Sequence, residues 1–223
     1  MSKIIKPEEG ESFDIELEED LLKANAKIAE ENKSLLKRHK ITAIDIMGSI
    51  GSGKTSLIEQ IVKKLKKKYV IGVLNGDLTT TIDSDRVRKH GAKVIQINTG
   101  KECHLDANLV RKALKELDLN DVNLLLIENV GNLICPAEFP LGSSKRIVVI
   151  STTEGPYMVL KHPFIFMDAS VVVINKIDLA EAMGVAVEKL EKDALSINPK
   201  AKIVKTDCRT GEGISDVIEA LGL

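Results

Sequence analysis

From Ile41 onward the chain alternates between two rhythms. Short unbroken apolar runs, many of them β-branched, are separated by stretches where polar residues recur at helical spacing. Ile147-Val148-Val149-Ile150 and Val171-Val172-Val173-Ile174 are the plainest of the apolar runs. Such runs suit parallel strands covered on both faces. They predict strands at 41–47, 69–74, 93–97, 123–128, 146–151, 170–175 and 202–205. Helices are predicted near 53–67, 84–90, 105–117, 180–196 and 213–221. Strand and helix in strict alternation imply an α/β fold. Its sheet is mostly parallel and flanked by helices in three layers, with right-handed crossovers. Ligands of such sheets collect at the carboxyl ends of the strands. Each motif below follows a strand, so all should meet on one edge.

Ahead of this region, 15–38 has a different pattern. Leu21, Ile28 and Leu35 recur at seven, as do Leu22, Ala29 and Leu36. This predicts an amphipathic helix packed on the main domain or on a partner subunit. Asn25 and Asn32 interrupt the stripe and argue against a long coiled coil. Residues 1–14 are polar and acidic and are expected to be mobile. The chain therefore divides into an acidic tail with a helical extension, 1–38, and a main domain, 39–223.

The 223 residues include 43% hydrophobic ones, enough for a sizeable core. A formal net charge of −1 excludes nucleic-acid binding through bulk charge. No apolar run approaches the roughly 20 residues of a membrane span. The start of the chain lacks the basic leader and apolar core of a signal peptide. Three cysteines without a disulfide framework fit a reducing compartment, and a cytoplasmic location is expected. The basic run Lys63–Lys68 reads as a solvated helix end, where cations suit the dipole.

The chemistry starts at Gly48-Ser49-Ile50-Gly51-Ser52-Gly53-Lys54-Thr55, a phosphate-loop pattern between an apolar strand and a helix start at Ser56. Glycines let the backbone curl so that N–H groups converge on phosphate oxygens. The helix N-terminus adds partial positive charge. Lys54 is placed to reach the β- and γ-phosphates, and the Thr55 hydroxyl suits Mg²⁺. Gly48, Gly51, Ser52, Gly53 and Ser56 complete the phosphate side. The sheet is thus of the P-loop NTPase type.

Asn175-Lys176-Ile177-Asp178 ends another apolar strand and points to guanine. The Asp178 carboxylate can accept from guanine N1–H and the 2-amino group. Adenine offers neither donor, and an unpaired buried carboxylate costs roughly a few kcal/mol. Asn175 can help at the other base edge, and the Lys176 stem can lie along the ring. The stretch Lys205–Gly213, with Cys208, stands where a second base-contacting loop is expected; Cys208 also reads simply as a packed thiol. The expected ligands are GTP and GDP.

Glu128 ends the strand 123–128, and Glu128-Asn129-Val130-Gly131 stands where GTPases carry D-x-x-G. Glu128 is a candidate for the Mg²⁺ shell and Gly131 for an N–H to the γ-phosphate. Asp77 and Asp83 are further candidates, for Mg²⁺ or for orienting the attacking water. Asp77 also reads as a turn residue and Asp83 as an N-cap. With Lys54 these acids form the catalytic set. The residue after Gly131 is Asn132, no glutamine, and no arginine finger is evident, so slow hydrolysis is expected.

Cys103-His104 opens the predicted helix 105–117, where the dipole would favour a thiolate. Cys135 lies on the loop that follows Glu128. Two thiolates and an imidazole suit Zn²⁺ or Ni²⁺. From spacing alone, the cysteines read more readily as buried small residues than as metal ligands.

Thr99-Gly100-Lys101-Glu102-Cys103-His104-Leu105-Asp106-Ala107 and Glu128-Asn129-Val130-Gly131-Asn132-Leu133-Ile134-Cys135-Pro136 resemble the HypB family of hydrogenase nickel-incorporation GTPases. The phosphate loop, Ile174–Leu179 and Thr210-Gly211-Glu212-Gly213 share the resemblance. It implies a SIMIBI-class fold and a GTPase that assists nickel insertion into [NiFe]-hydrogenase. It also implies GTP-dependent homodimers, a metal site where two subunits meet, and other maturation proteins and a hydrogenase precursor as partners. Its metal ligands fall on Cys103, His104 and Cys135, its Mg²⁺ and catalytic acids on Asp77, Asp83 and Glu128. An N-terminal nickel-binding cysteine motif or His-rich tract, which some members carry, is absent. The first 102 residues contain no cysteine. The resemblance therefore extends neither to high-affinity nickel binding nor to nickel storage. The alternatives are an accessory GTPase for urease or a cobalamin enzyme, and a metal-binding scaffold without catalysis.

Overall fold

A computed structural model of the chain describes residues 15–223; the acidic segment 1–14 lies outside the described residues. Seven strands form one sheet: β1 (Thr42–Gly48), β2 (Ile71–Asp77), β3 (Lys93–Asn98), β4 (Leu124–Glu128), β5 (Lys145–Ser151), β6 (Val171–Asn175) and β7 (Lys202–Thr206). Their order is β3-β2-β4-β1-β5-β6-β7, and every neighbouring pair is parallel. The larger helices are α1 (Ile15–Arg38), α2 (Lys54–Leu65), α3 (Ile82–Arg88) and α4 (Ala107–Lys115), then α8 (Val187–Ile197) and α9 (Ile214–Ala220). Three single-turn helices lie between them: α5 (Cys135–Glu138), α6 (Met158–Lys161) and α7 (Phe164–Met167).

The apolar runs are buried on both faces because successive side chains point to opposite sides. In β4, Leu124 and Leu126 pack with Leu57, Ile58 and Ile61 of α2. Leu125 and Ile127 between them pack with Val110 and Leu114 of α4. Val172 and Ile174 of β6 face Met158, Phe166 and Leu190 from α6, α7 and α8. All three layers are therefore closed by apolar contact. Among the described residues no helix is long and apolar enough to cross a membrane.

All seven predicted strands form. Three helix starts do not fall where periodicity placed them; α3 begins two residues early, at Ile82. The segment 180–186 is turns, and α8 begins only at Val187. On the other side, α4 starts at Ala107 because Asp106 caps it, accepting from Leu109 N–H at 2.7 Å. Cys103 and His104 thus lie in a loop ahead of the helix. The dipole argument for a Cys103 thiolate does not apply.

Helix α1 packs on this same domain, against α4 and the start of β1. It ends with Lys40 in a left-handed conformation, and Ile41 N–H bonds back to Leu36 O at 2.9 Å. Its buried face keeps Ala29 and Leu36 of the predicted stripe and adds the two asparagines. Leu21 is 57% exposed, whereas Asn25, Ala29, Asn32 and Leu36 are buried. The two asparagines that break the apolar pattern are the anchors. Asn25 donates to Pro140 O (2.9 Å) and accepts from Ala107 N–H (2.7 Å). Asn32 donates to Ala107 O (2.8 Å) and Leu141 O (3.1 Å). Buried amides are tolerated where backbone partners meet them.

Candidate functional site

The carboxyl edge of the sheet carries a cavity of about 830 Å³ above the turn between β1 and α2. At its floor, Lys54 Nζ curls over the loop and donates to Gly48 O (3.1 Å) and Ser49 O (2.9 Å). Burial lowers the pKa of this ammonium, against the pull of Glu128, Asp83 and Glu154. Gly53 has φ +107°, and a Cβ there would collide with the Asn175 amide, so only glycine fits. A Cβ on Gly48 would strike Val149 O. Gly51, Lys54, Thr55 and Ser56 line the cavity. The buried Ser52 instead offers its carbonyl to Asn175 Nδ2 at 2.8 Å.

Glu128 is buried at the end of β4 and holds two partners. Thr55 Oγ1 donates to Oε1 at 2.6 Å and Asn75 Nδ2 to Oε2 at 2.9 Å. Burial pushes the Glu128 carboxyl up to about 7, although the Thr55 bond and Lys54 oppose this. A desolvated carboxylate beside a hydroxyl is a hard-oxygen set that a divalent cation would stabilise, so Thr55 and Glu128 fit Mg²⁺. Asp77 and Asp83 also line the cavity but are engaged locally. Asp77 accepts from Thr79 N–H (3.0 Å), Thr80 N–H (3.2 Å) and Thr80 Oγ1 (2.9 Å). Burial acts to raise it, but these bonds prevail and hold it below its usual range. Asp83 lies inside the first turn of α3, whose N-cap position is Thr81. It pairs with Arg86 Nη1 at 3.1 Å. The N-cap reading of Asp83 is therefore corrected.

At the other end, Asn175 lines the cavity with its amide turned to the protein. Its Oδ1 accepts from Thr206 Oγ1 (3.0 Å) and Cys208 N–H (3.1 Å). It thus braces the phosphate loop against the loop after β7. Lys176 has a left-handed φ of 60°, an uncommon conformation for a lysine. Its Nζ approaches Thr153 Oγ1 at 3.4 Å. Asp178 is placed at the cavity wall and accepts from Arg209 Nη2 at 3.3 Å. Cys208 also lines this end, and burial pushes its thiol up to about 11, which suits packing rather than reactivity.

Beside the phosphate loop the three predicted soft ligands converge. The sulfur atoms of Cys103 and Cys135 are 3.2 Å apart, and His104 Nδ1 is 3.9 Å from Cys103 Sγ. All three ligand atoms lie within 4.8 Å of one another. Burial, then contact with Cys103, raises the Cys135 thiol. Burial lowers the His104 imidazole against Glu102, Asp106 and Glu138, which favours the neutral ligand form. The ring packs against Phe139 in a tilted arrangement, with centroids 4.0 Å apart. The cluster fits a soft or borderline metal ion such as Ni²⁺ or Zn²⁺. Gly131, from the same segment as Cys135, lines the cavity, and its Cα has no room for a Cβ against Ile50.

Several side chains of this edge escape sequence reasoning. Asn75 positions Glu128, and Arg86 joins Asp83 to Ser56 (3.2 Å) and Glu59 (2.7 Å). Glu154 accepts from the Ser49 hydroxyl at 2.7 Å, and burial raises its carboxyl against that bond. Asn129 Oδ1 accepts from Leu105 N–H at 3.0 Å, tying the two thiol loops together. No motif marks these residues; for Asn129 the one available signal is its place beside Glu128.

Residues 42–205 match the family described as CobW/HypB/UreG, nucleotide-binding domain. The chain is 54% identical over 205 residues to a probable hydrogenase maturation factor HypB of Methanocaldococcus jannaschii, an alignment spanning 92% of this chain and 93% of that one. A crystal structure of hydrogenase maturation factor HypB from Archaeoglobus fulgidus superposes with a TM-score of 0.84 at 48% identity, covering 89% of this chain and 97% of that one. HypB from Helicobacter pylori in complex with nickel gives the same TM-score at 35% identity, covering 89% and 93%.

Proposed function

The chain belongs to the CobW/HypB/UreG nucleotide-binding family, and from that premise we propose that it is a GTP-hydrolysing metallochaperone for [NiFe]-hydrogenase maturation. One observation carries the reading: Cys135, on the segment that runs from Glu128 past the phosphate loop, meets Cys103 and His104 of the loop before α4 in a two-thiol, one-imidazole cluster. Nickel is then cargo, held by Cys103, His104 and Cys135, with Zn²⁺ as the competing ion. The nickel bound in the similar Helicobacter pylori protein supports this assignment.

The nucleotide site would work as follows. Asp178 selects guanine through two accepted hydrogen bonds, and Lys176 covers the ring. Lys54 leaves the Gly48 and Ser49 carbonyls for the phosphates, and Gly131 offers its N–H to the terminal one. Mg²⁺, held by Thr55 and Glu128 with Asp77 or Asp83 beyond, would supply charge neutralisation at the phosphates. Asn75 keeps the Glu128 carboxylate aimed, and Asp83 or Asp77 orients water. Phosphoryl transfer of this kind depends on placement and charge more than on covalent chemistry. Dimerisation on GTP would bring two thiol clusters together at a shared face. We place the protein in the cytoplasm, where its thiols stay reduced.

Titration with Ni²⁺ and with Zn²⁺, in GDP and in a non-hydrolysable GTP analogue, tests the reading when molecular mass is measured in each state. Metal affinity is expected to differ between the two nucleotides, and mass to double with the GTP analogue. Equal affinity in both states removes the coupling. Capture of a hydrogenase precursor, and no capture of apo-urease, separates this role from the urease alternative.

A further inference from the structure

We propose that Asn132 is the positioning residue through which the phosphate loop sets the placement of Cys103 and Cys135. The inference rests on the metallochaperone reading above. Asn132 alone, among the described residues, bonds the phosphate loop and both thiol-bearing loops. Its backbone N–H donates to Gly48 O at 3.1 Å, an isolated antiparallel bridge between the two segments. Its side-chain amide donates to Cys103 O at 3.3 Å. Its side-chain oxygen accepts from Ile134 N–H at 2.9 Å, one residue before Cys135.

The Gly48 carbonyl is the junction. It also accepts from Lys54 Nζ at 3.1 Å, the one cation whose task in a loaded site is to meet phosphate. Drawing Lys54 to a phosphate removes one of the two donors from that oxygen and leaves the Asn132 N–H as the other. Gly131, pressed against Ile50 with no space for a Cβ, passes any movement of the loop straight to Asn132. From there the side chain acts on the Cys103 carbonyl and on the turn that starts α5.

Asn129 makes a different kind of link. It holds Leu105 N–H at 3.0 Å and is itself fixed to Asp45 of β1 (3.3 Å), a strand residue in the sheet interior. It therefore supplies a fixed frame. The Asn132 amide is half-exposed and bonds a loop carbonyl, so it can be exchanged without disturbing the core. A fixed frame with one movable latch is what a two-position metal site requires.

The test uses the full chain, with Asn132→Ala and Asn132→Asp. Alanine removes both side-chain bonds and keeps the backbone bond to Gly48. Aspartate keeps the acceptor for Ile134 N–H and loses the donor to Cys103 O. Zn²⁺ and Ni²⁺ affinities are measured by competition titration with GDP and with a non-hydrolysable GTP analogue. The readout is the ratio of the two affinities, which added charge or general loosening would move in both states alike. The wild-type ratio is expected to lie within about 5–150-fold and the variant ratios below about twofold. By reciprocity, nucleotide affinity should lose its response to metal to the same degree. Variants that retain the wild-type ratio overturn the role of Asn132 and leave the metallochaperone reading standing. A wild-type ratio of one overturns that reading and this inference together. If the alanine variant does not fold, the aspartate variant decides.

Discussion

Two buried asparagines hold opposite ends of one cavity, and their surroundings differ in kind. Asn175 at the base end bonds the Ser52 carbonyl, the Thr206 hydroxyl and the Cys208 N–H, all neutral groups. Asn129 at the metal end bonds Leu105 N–H and Val130 N–H on one side and the Asp45 carboxyl on the other. Asp45 is fully buried, and burial pushes it up to about 6 against Arg146 and the Asn129 bond. Its nearest cation, Arg146 Nε, is 3.8 Å away. The base end is thus braced by a network that does not titrate, the metal end by one that does. Recognition of a base gains from a site that is the same in every state. At the thiol end the frame stays in place while its contribution to stability follows pH, and the movable contact is that of Asn132.

Breaking the base-end brace should have the largest effect. Asn175→Ala leaves a buried carbonyl and N–H without their side-chain partner and the Thr206 hydroxyl with only the Cys208 sulfur, and is expected to cost about 3 kcal/mol in urea denaturation. GDP affinity should fall with it, since both loops at that end lose their common support. A variant of wild-type stability would show that the brace is dispensable.

The contrast sharpens with pH. The folded protein binds the Asp45 proton more tightly than the unfolded chain, whose ordinary value is 3.8. The group therefore adds stability as pH falls through about 6, and its contribution is complete below the unfolded value. Between pH 7 and pH 5 this amounts to about 1 kcal/mol. Wild type should gain that much relative to Asp45→Asn over this range, followed by thermal or chemical melts at each pH. An unchanged difference between the two proteins would remove Asp45 as the titrating support.

The smallest effect on stability is expected at the thiols themselves. Cys103 is exposed and Cys135 half-buried. Cys103→Ser and Cys135→Ser should each change stability by about 0.5 kcal/mol or less while abolishing metal binding at the cluster. A large loss of stability in either variant would mean that the loops are held by the sulfurs rather than by the asparagines.

Much of this edge is legible along the chain. Apolar runs mark all seven strands, and the phosphate loop, Glu128, Asn175 and Cys208 each follow one, so a parallel sheet must gather them. Local rules suffice there: glycine is required at Gly48 and Gly53, where φ is positive and a Cβ would collide, and a strand's alternation decides its two faces. The starts of α4 and α8 were not legible to periodicity, since a capping aspartate and a run of turns override it. Nor was the role of Asn25 and Asn32, which read as breaks in a stripe. Their partners, Pro140, Leu141 and Ala107, lie far along the chain.

Pattern and spacing determined the sheet and the phosphate cradle, because each depends on neighbours within a few positions; Cys103, His104 and Cys135 stood out as a ligand set only through the family resemblance. Only the folded chain decided which side chains aim them. Asn75 onto Glu128, Asn129 onto Leu105 and Asn132 between Gly48 and Cys103 are single hydrogen bonds between distant segments. An amide has no periodicity to announce its partner, and backbone atoms, which take part in most of these bonds, are the same at every position.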